Sequence, residues 1–193
     1  MRSAKRAGLL LLQSRIDRQL VGLLLRTFPK PCRLLEAGSH TGHLSLVLAQ
    51  LHYEVTLLDR LPLPLTFAKE RFDAKNLRAD FIVSDILETT GCWEGLWNSG
   101  VIQAYEPSQR ALLIEKLCQL APKVLFIYPD VMHPDFPRKF DPNIPPGITG
   151  CVEYSVTDIP ELVAQHCSMI RHGSLRADDI GLRYPFQYVV GGH

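Results

Sequence analysis

Apolar residues in this chain recur at two spacings, and the alternation between them predicts the fold. Leu12, Ile16, Leu20, Leu24 and Phe28 stand four apart, the stripe of an amphipathic helix. Pro29 and Pro31 break it. Arg33 to Ala37 reads as a short buried strand, Gly38 to Gly42 as a turn, and Leu44, Val47, Leu48 and Leu51 return to helical spacing. Glu54 to Leu58, closed by Asp59, is a second strand, after which Pro62 and Pro64 open a helix that turns Leu65, Ala68 and Phe72 inward. Ala79 to Val83 is a third strand, ending at Ser84-Asp85, and Gly95 to Asn98 a shorter fourth. Pro107-Ser108 begins a helix with Leu113, Leu117 and Leu120 in line, and Lys123 to Tyr128 is the fifth and clearest strand.

The pattern changes at Pro129. Pro129, Pro134, Pro137, Pro142, Pro145 and Pro146 fall before Gly150, too many for a regular helix or a central strand. The segment 129–150 therefore reads as an irregular lid or substrate loop. Thr157 is read as the N-cap of a further helix, with Pro160 in its first turn. From His172 to Val190 the tail can form two strands around an Asp178-Asp179-Ile180-Gly181 turn. Strands alternating with helices predict an α/β fold: a doubly wound, mostly parallel seven-stranded sheet with an antiparallel last strand and helices on both faces. The 193 residues fit one domain, 1–193, with a helix in 1–30 at its start.

Composition adds limits. The charged fraction is 21% and the hydrophobic fraction 46%, ordinary for a globular domain, and no apolar run is long enough to span a bilayer. Net charge is only +1, yet residues 1–33 carry eight Lys and Arg against one acid, Asp17. A solvated helix face explains this, and an acidic partner for the basic helix is the alternative. The acidic remainder argues against a nucleic-acid substrate. The apolar run at Leu9 to Leu12 is too short for a secretory signal; the Arg-rich start also has the composition of a mitochondrial presequence, but its helical spacing fits a structural helix. Five cysteines (Cys32, Cys92, Cys118, Cys151 and Cys167) form no Cys-x-x-Cys pair and no zinc pattern. They read as free thiols in a reducing, cytoplasmic compartment, and no metal site is expected.

In such a sheet ligands bind outside the carboxyl ends of the strands. The residues there are Glu36-Ala37-Gly38-Ser39-His40-Thr41-Gly42, Asp59-Arg60, Asp85-Ile86 and Asn98-Ser99-Gly100. Gly38 allows a sharp turn and close approach of a ligand, and Gly42 starts a helix whose free N–H groups attract an anion. Asp59, 21 positions after Gly38, stands where an acid accepts hydrogen bonds from ribose hydroxyls. These features alone suit several nucleotide cofactors.

Their order and spacing resemble those of the class I S-adenosylmethionine-dependent methyltransferases, of the small-molecule type, from about Leu34 to Tyr128 and more loosely to Thr157. The resemblance implies S-adenosyl-L-methionine as cofactor, with its methionine part over Gly38, Ser39, His40, Thr41 and Gly42. It implies the ribose on Asp59 beside Arg60, the adenine by Asp85 and Ile86, and the transferred methyl facing Asn98 and Ser99. Glu36 is the acid of the first motif. It implies methyl transfer to a small-molecule acceptor held in line with the sulfonium, with no catalytic residue identified and the acceptor unread. Two departures stand out: His40 occupies a position where many relatives have glycine, and Gln103-Ala104-Tyr105 replaces an acid-histidine pair common in small-molecule enzymes. They support a second reading, a non-catalytic binding module. A NAD-dependent oxidoreductase is the third, but Gly38-Ser39-His40-Thr41-Gly42 fits a pyrophosphate poorly. His133, Tyr105, Tyr128 and Asp130 fall near the expected mouth, while Trp93 and Trp97 read as core or pocket-wall aromatics.

Overall fold

The structure is a computed structural model and describes residues 15–130, 133–135 and 158–192. Seven strands form one sheet: β1 (Arg33–Ala37), β2 (Glu54–Asp59), β3 (Asp80–Val83), β4 (Gly95–Ser99), β5 (Lys123–Pro129), β6 (Ser168–Leu175) and β7 (Phe186–Gly192). Their order is β3-β2-β1-β4-β5-β7-β6. The first five pair in parallel. β7 runs antiparallel to both β5 and β6. This is the expected mostly parallel sheet with an antiparallel last strand.

The helices are α1 (Arg15–Thr27), α2 (His43–Gln50), α3 (Pro62–Asp73), α4 (Pro107–Leu120), α5 (Ile159–His166) and a single turn, α6 (Ala177–Ile180). Side chains alternate across each strand, so the sheet feeds two cores. Leu34, Leu57, Trp97 and Leu125 point to one face and pack with Leu20, Leu24, Val47, Leu65 and Phe72 of α1, α2 and α3. Leu35, Leu58, Leu96 and Phe126 point to the other and pack with Leu113, Leu117 and Val163 of α4 and α5. Helices thus cover both faces, and every inward position expected on α3 and α4 is buried.

The structure departs from the expected elements in three places. β5 ends on Pro129, which sits at the strand's last position opposite Phe186. Proline lacks an N–H but is tolerated at a strand terminus. Asp158, not Thr157, is the N-cap residue of α5. Thr157 itself, Leu12, Cys151 and most of the 129–150 loop lie outside the described residues. The link between β6 and β7 is longer than a tight turn, because Ala177–Ile180 coil into α6 before Gly181 takes the left-handed conformation at φ 71°.

Candidate functional site

The chain runs from β1 outward to β2 and β3, then returns to place β4 on the other side of β1. The carboxyl ends of β1 and β4 therefore flank the switch point, the place where sheets of this kind bind ligands because the two connections leave in opposite directions. The turn Gly38–Gly42 borders it on one side and residues 99–105 on the other.

The turn is shaped by three left-handed residues: Gly38 (φ 73°), His40 (φ 48°) and Gly42 (φ 60°). Two of the glycines are required. A Cβ on Gly38 would lie 2.4 Å from Val101 Cγ2, and one on Gly42 would lie 2.1 Å from Leu57 Cδ2. His40 accepts the strained conformation with an exposed ring. Inside the turn, the N–H groups of Gly38 and Ser39 both donate to the Leu58 carbonyl, at 2.8 and 2.9 Å, and that of Gly42 to Ser39 at 2.8 Å. Asp59 holds the turn directly: its Oδ2 accepts the His40 N–H at 2.8 Å while Oδ1 accepts the Leu61 N–H at 2.9 Å. A carboxylate has further lone pairs beyond these two.

Glu36 joins the end of β1 to α2. It is buried, and its Oε2 accepts the Ser45 hydroxyl at 2.5 Å on the α2 face of the sheet. Burial pushes its carboxyl up to about 8, against the lowering effect of hydrogen bonds from the Ser45 side chain and backbone, with Asp59 adding a smaller upward push. Its role here is to anchor the start of α2 beneath the turn. Ser45 carries no motif signature; a buried serine among the apolar residues of α2 is the only trace it leaves in the sequence.

Among the buried side-chain polar atoms without a hydrogen-bond partner are Ser39 Oγ in the turn, both side-chain amide atoms of Asn98 near the end of β4, and Gln103 Oε1 just beyond it. Asn98 is fully buried at the end of β4. Such groups are costly unless a ligand or water satisfies them, and these lie where the strand ends open. At the rim, Asp85 Oδ1 accepts the Leu87 N–H at 2.9 Å and Ile86 is buried. Tyr105 is half-buried; burial raises its phenol, Asp85 and Asp59 raise it further and Arg60 opposes them. Tyr105 thus lies within electrostatic reach of Asp85, Arg60 and Asp59. Thr41 and Ser99 are partly buried. Tyr128, buried at the end of β5, is raised by burial and by Asp158 and Asp130. His133 is 4.0 Å from Asp135 on its own loop.

The predicted strand-end residues are therefore brought to one end of the sheet, with the Glu36 carboxyl bonded to Ser45 of α2. A groove of about 490 Å³ lies at the opposite, amino-terminal end, lined by Arg33, Glu54, Arg78, Asp80 and Trp93 among others. Its ionic side chains carry both signs, and none of the predicted site residues lines it. No group of three or more metal-ligating side chains occurs among the described residues. No helix among them is long and apolar enough to cross a membrane.

No family profile and no curated protein matches the sequence. Solved structures do resemble the fold. Magnesium protoporphyrin IX methyltransferase from Synechocystis PCC 6803, with bound S-adenosylmethionine, superposes with a TM-score of 0.70 at 17% identity, over 92% of this chain and 77% of that one. The N-methyltransferase NodS from Bradyrhizobium japonicum WM9 gives 0.67 at 16% identity, over 94% and 98%. The 1,6-didemethyltoxoflavin N1-methyltransferase of Burkholderia thailandensis, with 1,6-didemethyltoxoflavin and S-adenosylhomocysteine bound, gives 0.65 at 16% identity, over 94% and 80%. This chain has the Rossmann-like fold of the class I S-adenosylmethionine-dependent methyltransferases.

Proposed function

We propose that the chain is a cytoplasmic enzyme that transfers a methyl group from S-adenosylmethionine to a small-molecule acceptor. The observation that carries this reading is the set of buried, unpartnered polar atoms of Ser39, Asn98 and Gln103 at the switch point. Comparable folds are solved with S-adenosylmethionine or S-adenosylhomocysteine bound. In this reading Gly38 to Gly42 hold the methionine part and Asp59 the ribose, with Arg60 beside it. Asp85 and Ile86 border the adenine, and Asn98 and Ser99 face the reacting end. When bound, the cofactor supplies an electrophilic methyl on a sulfonium with a good leaving group already in place.

The protein's tasks are then alignment and exclusion of water. The rigid turn fixes one partner, because its amides are already committed to Leu58 and Asp59. The buried amides of Asn98 and Gln103 can orient polar groups without exchanging a proton at neutral pH. Tyr105 closes one side of the opening. A small acceptor suits a crevice walled by half-buried side chains, as do the small-molecule substrates of proteins with this fold.

Titration calorimetry of the purified chain with S-adenosylmethionine and S-adenosylhomocysteine tests the proposal. Saturable binding of at least one is expected, weakened at least tenfold by Asp59→Ala. Absence of binding to both would sink it.

A further inference from the structure

We propose that Arg71 is a positioning residue for the cofactor turn, acting from outside the crevice through a relay that begins on the amino-terminal helix; this rests on the cofactor reading above. Arg71 lies in the last turn of α3. Its Nη1 donates to the carbonyl of Thr41 at 3.1 Å, inside the turn. Its Nη2 lies 3.2 Å from Nδ1 of His43, the first residue of α2. On the far side of that ring, Nε2 is 3.3 Å from Asp17 Oδ2 on α1.

The chemistry orients the whole line. A guanidinium only donates, so His43 Nδ1 must accept and the ring proton sits on Nε2, where it is donated to Asp17. Asp17, His43 and Arg71 thus join three helices and end on one backbone carbonyl. That carbonyl belongs to the residue between His40 and Gly42, both left-handed. The peptide that follows it is held at its other end by the Gly42 N–H bond to Ser39 at 2.8 Å. Both ends of the Thr41–Gly42 peptide are therefore fixed.

The N–H groups of the turn are held by Leu58, Asp59 and Ser39. Arg71 holds its Thr41 carbonyl. A conformation this strained, with a non-glycine residue at φ 48°, persists only when surrounding contacts over-determine it. Without the brace the turn samples other arrangements, and affinity falls in proportion to the fraction still competent to bind. The forked head also explains arginine here: a lysine can reach Thr41 or His43, but one ammonium lacks the diverging planar pair of donors.

The experiment uses the full chain with S-adenosylhomocysteine as probe, read by calorimetry and by amide hydrogen exchange. Arg71→Met is expected to weaken the probe about tenfold, as if about a tenth of the turns remained competent. In the ligand-free protein it should speed exchange at 38–43 while leaving the β4 and β5 amides unchanged. Arg71→Lys, which keeps the stem and one contact, should fall between parent and Arg71→Met in both readouts. Unchanged exchange at 38–43 in Arg71→Met would overturn the proposal, as would faster exchange spread evenly over the sheet. If Arg71→Met does not fold, Arg71→Lys decides by the same two readouts. The exchange measurement needs no ligand, so a parent chain that binds no probe would overturn the cofactor reading while leaving the brace decided on its own.

Discussion

Three residues of the first motif behave differently although the sequence places them within one short segment. Glu36 reads as a motif acid, yet it faces α2 and is pushed up to about 8 by burial. The folded chain therefore keeps a proton that the unfolded chain releases above its ordinary value of 4.5. The stability this group confers is fully present below that pH and declines as pH rises towards about 8, at up to about 1.4 kcal/mol per unit. Urea midpoints at pH 5.5 and 7.5 should show this slope in the parent chain, and Glu36→Gln, which keeps the shape and the Ser45 contact, should flatten it. Gly42 and His40 make the contrasting pair. Gly42→Ala adds a Cβ 2.1 Å from Leu57 at φ 60° and should cost about 2–4 kcal/mol. His40→Gly relieves a positive φ on an exposed residue and should change stability by no more than about 1 kcal/mol in either direction. Denaturant unfolding of the two variants separates a required glycine from a tolerated substitution.

At the level of elements, a buried ion pair joins α4 to the start of α5 on the second face. Arg110 has no exposed side-chain surface, and its Nη1 donates to Asp158 Oδ1 at 2.7 Å. Asp158→Ala takes the carboxylate away from that charge and should cost about 2 kcal/mol, moderated by the 39% exposure of the aspartate side chain. Adding Arg110→Met removes the buried charge and should recover part of the loss, a sign of coupling that a double-mutant cycle reads directly. Neither residue is conspicuous in the sequence, because a long-range pair follows from the crossing of two helices and not from local spacing. The strands and amphipathic helices were legible for the opposite reason: Leu65, Ala68 and Phe72, or Leu113 and Leu117, show their burial in their own periodicity. The same distinction divides the site. Asp59 could be found from its distance to Gly38, since a strand end and a turn fix where it lands. The inward swing of Glu36 onto Ser45, the reach of Arg71 to Thr41 and the isolation of Asn98 depend on packing between elements. The single helical turn α6 escaped because four residues carry too little periodicity to distinguish a helix from a turn.

Over the whole molecule, the two ends of the sheet offer different surfaces, and ligand linkage can tell which one is used. The carboxyl end has committed turn amides and Asp59, with the unpartnered amide of Asn98 buried beneath. The amino end presents the groove of about 490 Å³ with basic and acidic side chains interspersed. A ligand that binds only the folded chain stabilises it by about 2.7 kcal/mol at a hundredfold excess over its dissociation constant. For a domain of this size that should raise the unfolding midpoint by about 5–10 °C. S-adenosylhomocysteine should produce such a shift, and thermal scans over a range of its concentration measure it. Location comes from where local protection exceeds the global gain. Amides at 38–43, 59–61 and 98–105 should be protected beyond the common increment, while those at 77–81 at the amino-terminal groove should rise only with the whole. Extra protection at 77–81 alone would move the binding site to the other end of the sheet. Extra protection at the carboxyl end ties the buried polar atoms of Ser39 and Asn98 to the ligand, because no other part of the described chain combines unpartnered amide atoms with a strand end that opens at a switch point.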